Sequence, residues 1–311
     1  MRRIGRAPGV RATILFVALA LVLGAAAWPH DGAHAQSRSE VVHHRHLRLE
    51  APWGSERVLV VYPRLDGRRE HPREHRWSVL VALHGQGEAR RGPERGYVAW
   101  SVDYRLPDAF AALARGRLLP RDYGGMIRLD HLAAVNAGLA RDRFDGLMVV
   151  CPYTPDLMPE PPGSERIRAW GDWVAGSMLE QVRAQLPGAA RGRASTGIDG
   201  VSLGGMLALE VGLRHPEAFA TVGALQPAIR GREEAIAALA SAGSEQRIRL
   251  LSSDEDPFLE PTRQLSERLR ERYVAHDLRV LPGPHDYAFN RGPGGLEMLV
   301  FHERALEPER P

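Results

Sequence analysis

Gly200-Val201-Ser202-Leu203-Gly204-Gly205 sets a serine among glycines, directly after an expected strand and ahead of an expected helix. A serine hydroxyl is a weak nucleophile, and this setting suits its activation. A sharp strand-to-helix turn pushes the side chain out at the carboxyl end of a sheet, and glycines on both sides remove atoms that would collide with neighbouring elements. Once a base takes its proton, such a hydroxyl can attack an acyl carbon. That chemistry also needs backbone N–H groups held ready for the oxyanion of a tetrahedral intermediate, each contributing roughly 3 kcal/mol. His84-Gly85-Gln86-Gly87, directly after an apolar run, is the second candidate segment. The expected donors are the N–H of Leu203 and the N–H of Gln86, with Gly87 as the alternative. His84 precedes the serine in the chain and reads as a structural hydrogen-bonding group.

The base should follow the serine, with an orienting acid between them. Four histidines lie downstream: His215, His276, His285 and His302. His215 sits in a His-Pro pair that ends a helix, His276 starts a strand, and His302 falls within the last helix. His285, in the loop Gly283-Pro284-His285-Asp286-Tyr287, is the expected base. The acid is expected in Ser252-Ser253-Asp254-Glu255-Asp256-Pro257, where Asp256, followed by a proline that fixes the backbone, is favoured over Asp254. Asp172 and Asp199 precede the serine and read as structural.

With these segments the chain resembles the putative-esterase group of the α/β-hydrolases, which includes esterase-D-like and feruloyl-esterase-like enzymes and the mycolyltransferases. The resemblance runs from about Trp77 to His302. It is carried by Val81-Ala82-Leu83-His84-Gly85, by the Ser202 motif, by His215-Pro216-Glu217-Ala218-Phe219 and by Gly283-Pro284-His285-Asp286-Tyr287. It implies hydrolysis of a small-molecule or polymer-borne carboxylic ester with no metal or organic cofactor. Acyl transfer to another acceptor and thioester cleavage would use the same serine. The rival from another class is a non-catalytic exported binding protein on a hydrolase scaffold. The chain departs from the commonest pattern at Gln226, where many relatives carry serine, and in the long stretch after Gly87.

The elements that must position these residues alternate. Segments 41–50 (a polar-apolar mixture), 57–62, 77–83, 146–151, 196–201, 218–225, 248–251 and 277–281 read as strands. Helical spacing covers 107–113, 127–139, 205–214, 233–242, 261–274 and 296–305, and Ile167 to Leu186 reads as one long amphipathic helix. Alternation of this kind predicts an α/β-hydrolase fold: a mostly parallel central sheet with helices on both faces and antiparallel N-terminal edge strands. The stretch 89–143 is long for one crossover. With Tyr97, Trp100, Tyr104 and Tyr123 it is either a lid or substrate wall, or an ordinary helix pair with surface aromatics.

Residues 1–35 read as a signal peptide: Arg2, Arg3, Arg6 and Arg11, an apolar core from Ala12 to Trp28, and Ala33-His34-Ala35 as the cleavage site. Residues 36–311 then form a single exported domain, periplasmic or secreted, with no membrane span after cleavage. An uncleaved N-terminal anchor is the alternative. The segment's four arginines against one acid, Asp31, account for the whole formal charge of +3. A neutral mature chain removes the electrostatic case for a nucleic-acid partner. The single cysteine, Cys151, closes an apolar run, allows no internal disulfide and reads as a buried thiol. Val42-His43-His44-Arg45-His46 lacks convergent ligand spacing, because His44 and His46 share one face of a strand while His43 points away. It reads as a solvated edge and not as a metal site.

Overall fold

The computed structural model describes residues 41–64, 76–241 and 245–309. The expected signal segment, with the loop histidines His71 and His75, lies outside the described residues. Eight strands form one sheet: β1 (Val42–Ala51), β2 (Gly54–Pro63), β3 (Val79–Leu83), β4 (Met148–Pro152), β5 (Thr196–Gly200), β6 (Thr221–Leu225), β7 (Arg247–Glu255) and β8 (His276–Pro284). Their order is β1-β2-β4-β3-β5-β6-β7-β8. β1 and β2 are antiparallel to each other, β2 is antiparallel to β4, and every other pair is parallel. This is the mixed, mostly parallel sheet expected for the α/β-hydrolase fold.

The inner strands β3 to β6 are buried along their whole length because both faces are covered, and β3 and β4 are almost wholly apolar. Their side chains still alternate with period two. In β3, Val79, Val81 and Leu83 enter one apolar layer, and Leu80 and Ala82 enter the other. The first layer packs the helices Glu165–Trp173, Leu179–Gln185, Leu203–Arg214, Glu233–Ser241 and Leu259–Glu271. The second packs Leu106–Ala114, Leu129–Arg141 and Gly295–Ala305. After β3 the chain crosses to β4 on one side, and β5 returns on the other. The connections leaving β3 and β5 therefore diverge to opposite faces and open a crevice at the carboxyl ends of these strands.

Three local expectations are corrected. The helix expected over 167–186 is interrupted by a π turn, Val174–Met178. Trp173 and Met178 are five residues apart and both buried, a spacing that an unbroken α-helix would carry away from the sheet. β7 runs to Glu255, beyond the expected 248–251, so Ser252, Asp254 and Glu255 belong to a strand and only Asp256 leaves it. Pairing with an equally extended β8 supplies the ladder that polar composition hid. In the 89–143 stretch, Tyr97, Trp100, Tyr104 and Tyr123 are buried in the second apolar layer, so the surface-aromatic alternative does not hold.

On β1, His44 bonds Ser101 at 2.8 Å and His46 bonds Tyr97 at 2.9 Å on one face, while His43 packs its ring against Tyr62. Cys151 is buried, and burial pushes its thiol pKa up. No described helix is long and apolar enough to cross a membrane.

Candidate active site

The turn after β5 is tightly constrained. Ser202 has φ 57° and ψ −114°, a conformation that side-chain-bearing residues avoid, and the helix Leu203–Arg214 starts immediately after it. Its N–H donates to Leu225 O at 2.9 Å, and Ala228 N–H donates to its carbonyl at 3.0 Å, so the strained residue is pinned to the end of β6. Glycine is required on both sides. A Cβ at Gly200 would lie 2.4 Å from the Gly204 carbonyl, and one at Gly204 would lie 2.3 Å from Leu83 O. The second contact brings the serine turn directly against the end of β3.

The structure brings Ser202, His285 and Asp256 together. His285 Nε2 lies 3.1 Å from Ser202 Oγ, and His285 Nδ1 lies 2.9 Å from Asp256 Oδ1. With a carboxylate at Nδ1 the proton resides there, which leaves the Nε2 lone pair facing the serine hydroxyl. The Asp256 carboxylate also accepts Ser252 Oγ–H at 2.6 Å and the Phe258 N–H at 2.9 Å. Its side chain is fully buried while that of His285 is partly exposed, so the imidazole alone reaches the crevice. The Phe258 ring stands edge-on to His285 at 5.4 Å. Asp254 bonds elsewhere: its Oδ1 accepts the Gly283 N–H at 2.9 Å.

The other histidines have different partners. His215 caps its helix and pairs with Glu217 at 3.0 Å. His276 meets Ser266 at 2.7 Å, and His302 is buried between Thr221 at 2.7 Å and Asp199 at 2.9 Å. Asp199 also holds Arg249 at 2.7 Å inside the molecule, and Asp172 pairs with His215 at 3.1 Å. His84 is buried. Its Nε2 accepts the Thr154 N–H at 2.9 Å, and Nδ1–H donates to Gly85 O at 3.1 Å. Burial pushes its pKa down to about 4, so it stays neutral, as this bonding requires.

The loop after β3 lies beside the serine, with the Cβ direction of Gly85 ending 3.8 Å from Ser202 Cβ. Gly85 N–H is engaged by the Tyr104 hydroxyl oxygen at 3.0 Å. Gln86 and Leu203 each open a helix, where the first N–H groups have no partner within the helix. The Gln86 side chain is turned away and donates to both oxygens of Asp156, at 3.0 and 3.1 Å.

Several residues at this site escape a reading of the sequence. Gln226 is buried with φ 43°, and its Nε2 donates to Ser253 Oγ at 2.6 Å and to Pro284 O at 2.9 Å. It thus joins the strand before Asp256 to the residue before His285. Its departure from the commoner serine was the only signal. Glu88, Tyr104 and Tyr287 meet beside the Gly85 loop. Tyr287 belongs to the Gly283–Tyr287 motif and Tyr104 to the aromatics of the 89–143 stretch, while nothing in the sequence marks Glu88.

Residues 156–291 match the family model described as Putative esterase. The matched range contains Ser202, His285 and Asp256 but stops short of the loop after β3. Among curated proteins, none matches the chain by sequence. A ferulic acid esterase superposes with a TM-score of 0.60 at 17% identity, over 85% of this chain and 98% of its own. An S-formylglutathione hydrolase (FrmB) from Staphylococcus aureus gives 0.54 at 14% identity, over 84% and 96%. A fluorophosphonate-binding serine hydrolase, FphF, also from Staphylococcus aureus, gives 0.57 at 13% identity, over 85% and 99%.

Proposed function

From a chain whose residues 156–291 match the Putative esterase model on an α/β-hydrolase fold, we propose a serine esterase that cleaves carboxylic acyl esters through a covalent acyl-enzyme. The observation that carries the reading is the unbroken relay from Ser202 Oγ through His285 to Asp256, with contacts of 3.1 and 2.9 Å. In this reading His285 Nε2 takes the serine proton as Oγ attacks the acyl carbon. Asp256 stays ionised and stabilises the imidazolium. The N–H groups of Leu203 and Gln86 receive the oxyanion, and His285 then passes the proton to the departing alcohol. Water repeats the sequence on the acyl-enzyme with His285 again as base, releasing the acid. The chemistry needs no cofactor.

The 89–143 stretch acts as a fixed wall behind the oxyanion loop, because its aromatics are core residues. Thioester cleavage and acyl transfer would follow the same path to the acyl-enzyme and differ in the leaving group or the acceptor.

Ser202→Ala should lower kcat on a short p-nitrophenyl ester by roughly 10,000-fold or more and abolish fluorophosphonate labelling, without lowering the thermal midpoint. Undiminished turnover would move the nucleophile elsewhere. An unlabelled wild-type protein would favour the non-catalytic binding protein.

A further inference from the structure

Glu88 lies two residues past Gln86 and is only 2% exposed. Its Oε2 accepts the hydroxyl of Tyr104, and its Oε1 accepts the hydroxyl of Tyr287, two residues past His285. The Tyr104 oxygen accepts the Gly85 N–H at 3.0 Å. Arg91 stands 3.6 Å from Glu88 Oε1 as a counter-charge and is itself forked onto Asp103 at 3.1 and 2.5 Å. A buried carboxylate is tolerated when it is paired and hydrogen-bonded, and here both oxygens are used. Burial, together with the Glu88 charge, raises the Tyr104 pKa, and the bond to Glu88 is the main cause that pushes Tyr287 up to about 12. Both phenols therefore remain donors at neutral pH.

The tie joins two loops that the chemistry must hold in register. The helical turn Gln86–Ala89 is four residues long, too short to hold its shape alone. The loop after β8 carries His285 and Tyr287 together. Tyr287 Oη also lies 3.5 Å from where a Cβ of Gly87 would be, so the phenol closes over the turn.

We propose that Glu88 is a positioning residue. By gathering Tyr104 from the wall and Tyr287 from the histidine loop, it fixes the Gln86 N–H relative to Ser202 and His285, so that oxyanion donor and base form one rigid unit. The proposal rests on the esterase reading, since it assigns Gln86 to the oxyanion. Oxyanion donors must lie close to the developing charge, and displacements near 1 Å cost about 100-fold.

The test compares Glu88→Gln, Tyr287→Phe and the double variant with the wild type on p-nitrophenyl butyrate. Tyr287 is 44% exposed, so its variant keeps the test open if Glu88→Gln folds poorly. Each single change should lower kcat roughly 10- to 100-fold with KM within about twofold. The double variant should be no slower than the worse single, as expected of one shared device. The pH midpoint of kcat/KM should not move, because the Asp256–His285 bond is untouched. Amide hydrogen exchange across residues 84–89 should quicken in both single variants. Wild-type kcat in both singles, additive losses, a fall expressed in KM, or a shifted pH midpoint would each overturn the proposal. So would unchanged exchange, which reads the tie whatever the substrate. A wild type no more active than Ser202→Ala would instead sink the esterase reading, and exchange would still decide the tie.

Discussion

Asp254 and Asp256 stand two positions apart and bond in different directions. Asp256 accepts from His285 Nδ1, from Ser252 and from the Phe258 N–H, while Asp254 holds the Gly283 N–H across the β7–β8 ladder. An amide at 256 has one acceptor oxygen in place of two and an NH2 that can face the imidazole, which would upset the tautomer that His285 needs as the proposed base. Asp256→Asn should therefore lower kcat by roughly 1,000- to 10,000-fold. Asn at 254 keeps an oxygen for Gly283, so Asp254→Asn should cost less than about tenfold. Steady-state kinetics of the two variants on one ester checks the ranking, and the opposite order would reassign the acid.

At the scale of elements, the serine turn works through how closely two backbones meet. Gly204→Ala would drive a methyl to within 2.3 Å of Leu83 O, a contact that no rotamer relieves. A loss of about 3 kcal/mol or more in unfolding free energy is expected, read from the urea midpoint, and an unchanged midpoint would mean that the turn can yield to the added methyl. This element was open in the sequence because its requirement is local: strand, glycine, serine, glycine, helix. β3 and β5, and His285 after β8, were legible for the same reason. The far half of β7 was not, because Ser252, Ser253 and Glu255 pair there with a strand about 30 residues on, and polar side chains mask a backbone ladder. Glu88 and Gln226 were hidden more deeply. Glu88 meets Tyr287 across 199 positions, and Gln226 meets Pro284 across 58. Neither spacing has a period to find.

At the scale of the whole molecule, two buried histidines couple the fold to acidity. Burial lowers the pKa of both His84 and His302, and that of His84 reaches about 4 against 6.5 when exposed. The unfolded chain binds those protons first. Stability is thus fully present above pH 6.5 and declines as pH falls toward 4, with His84 contributing on the order of 3 kcal/mol to that loss. Urea unfolding of His84→Asn should show a shallower decline over this window than the wild type, and parallel curves would refute the assignment. The sheet that carries these groups ends on one side at β1, with exposed His43, His44, Arg45, His46 and Arg48, and on the other at β8, with exposed Asp277 and Arg279. Neither margin offers a flat, oily ribbon onto which a stray chain could zip. Polar and charged side chains thus disfavour strand-to-strand stacking of copies at the two borders where an open sheet is otherwise most prone to pile up.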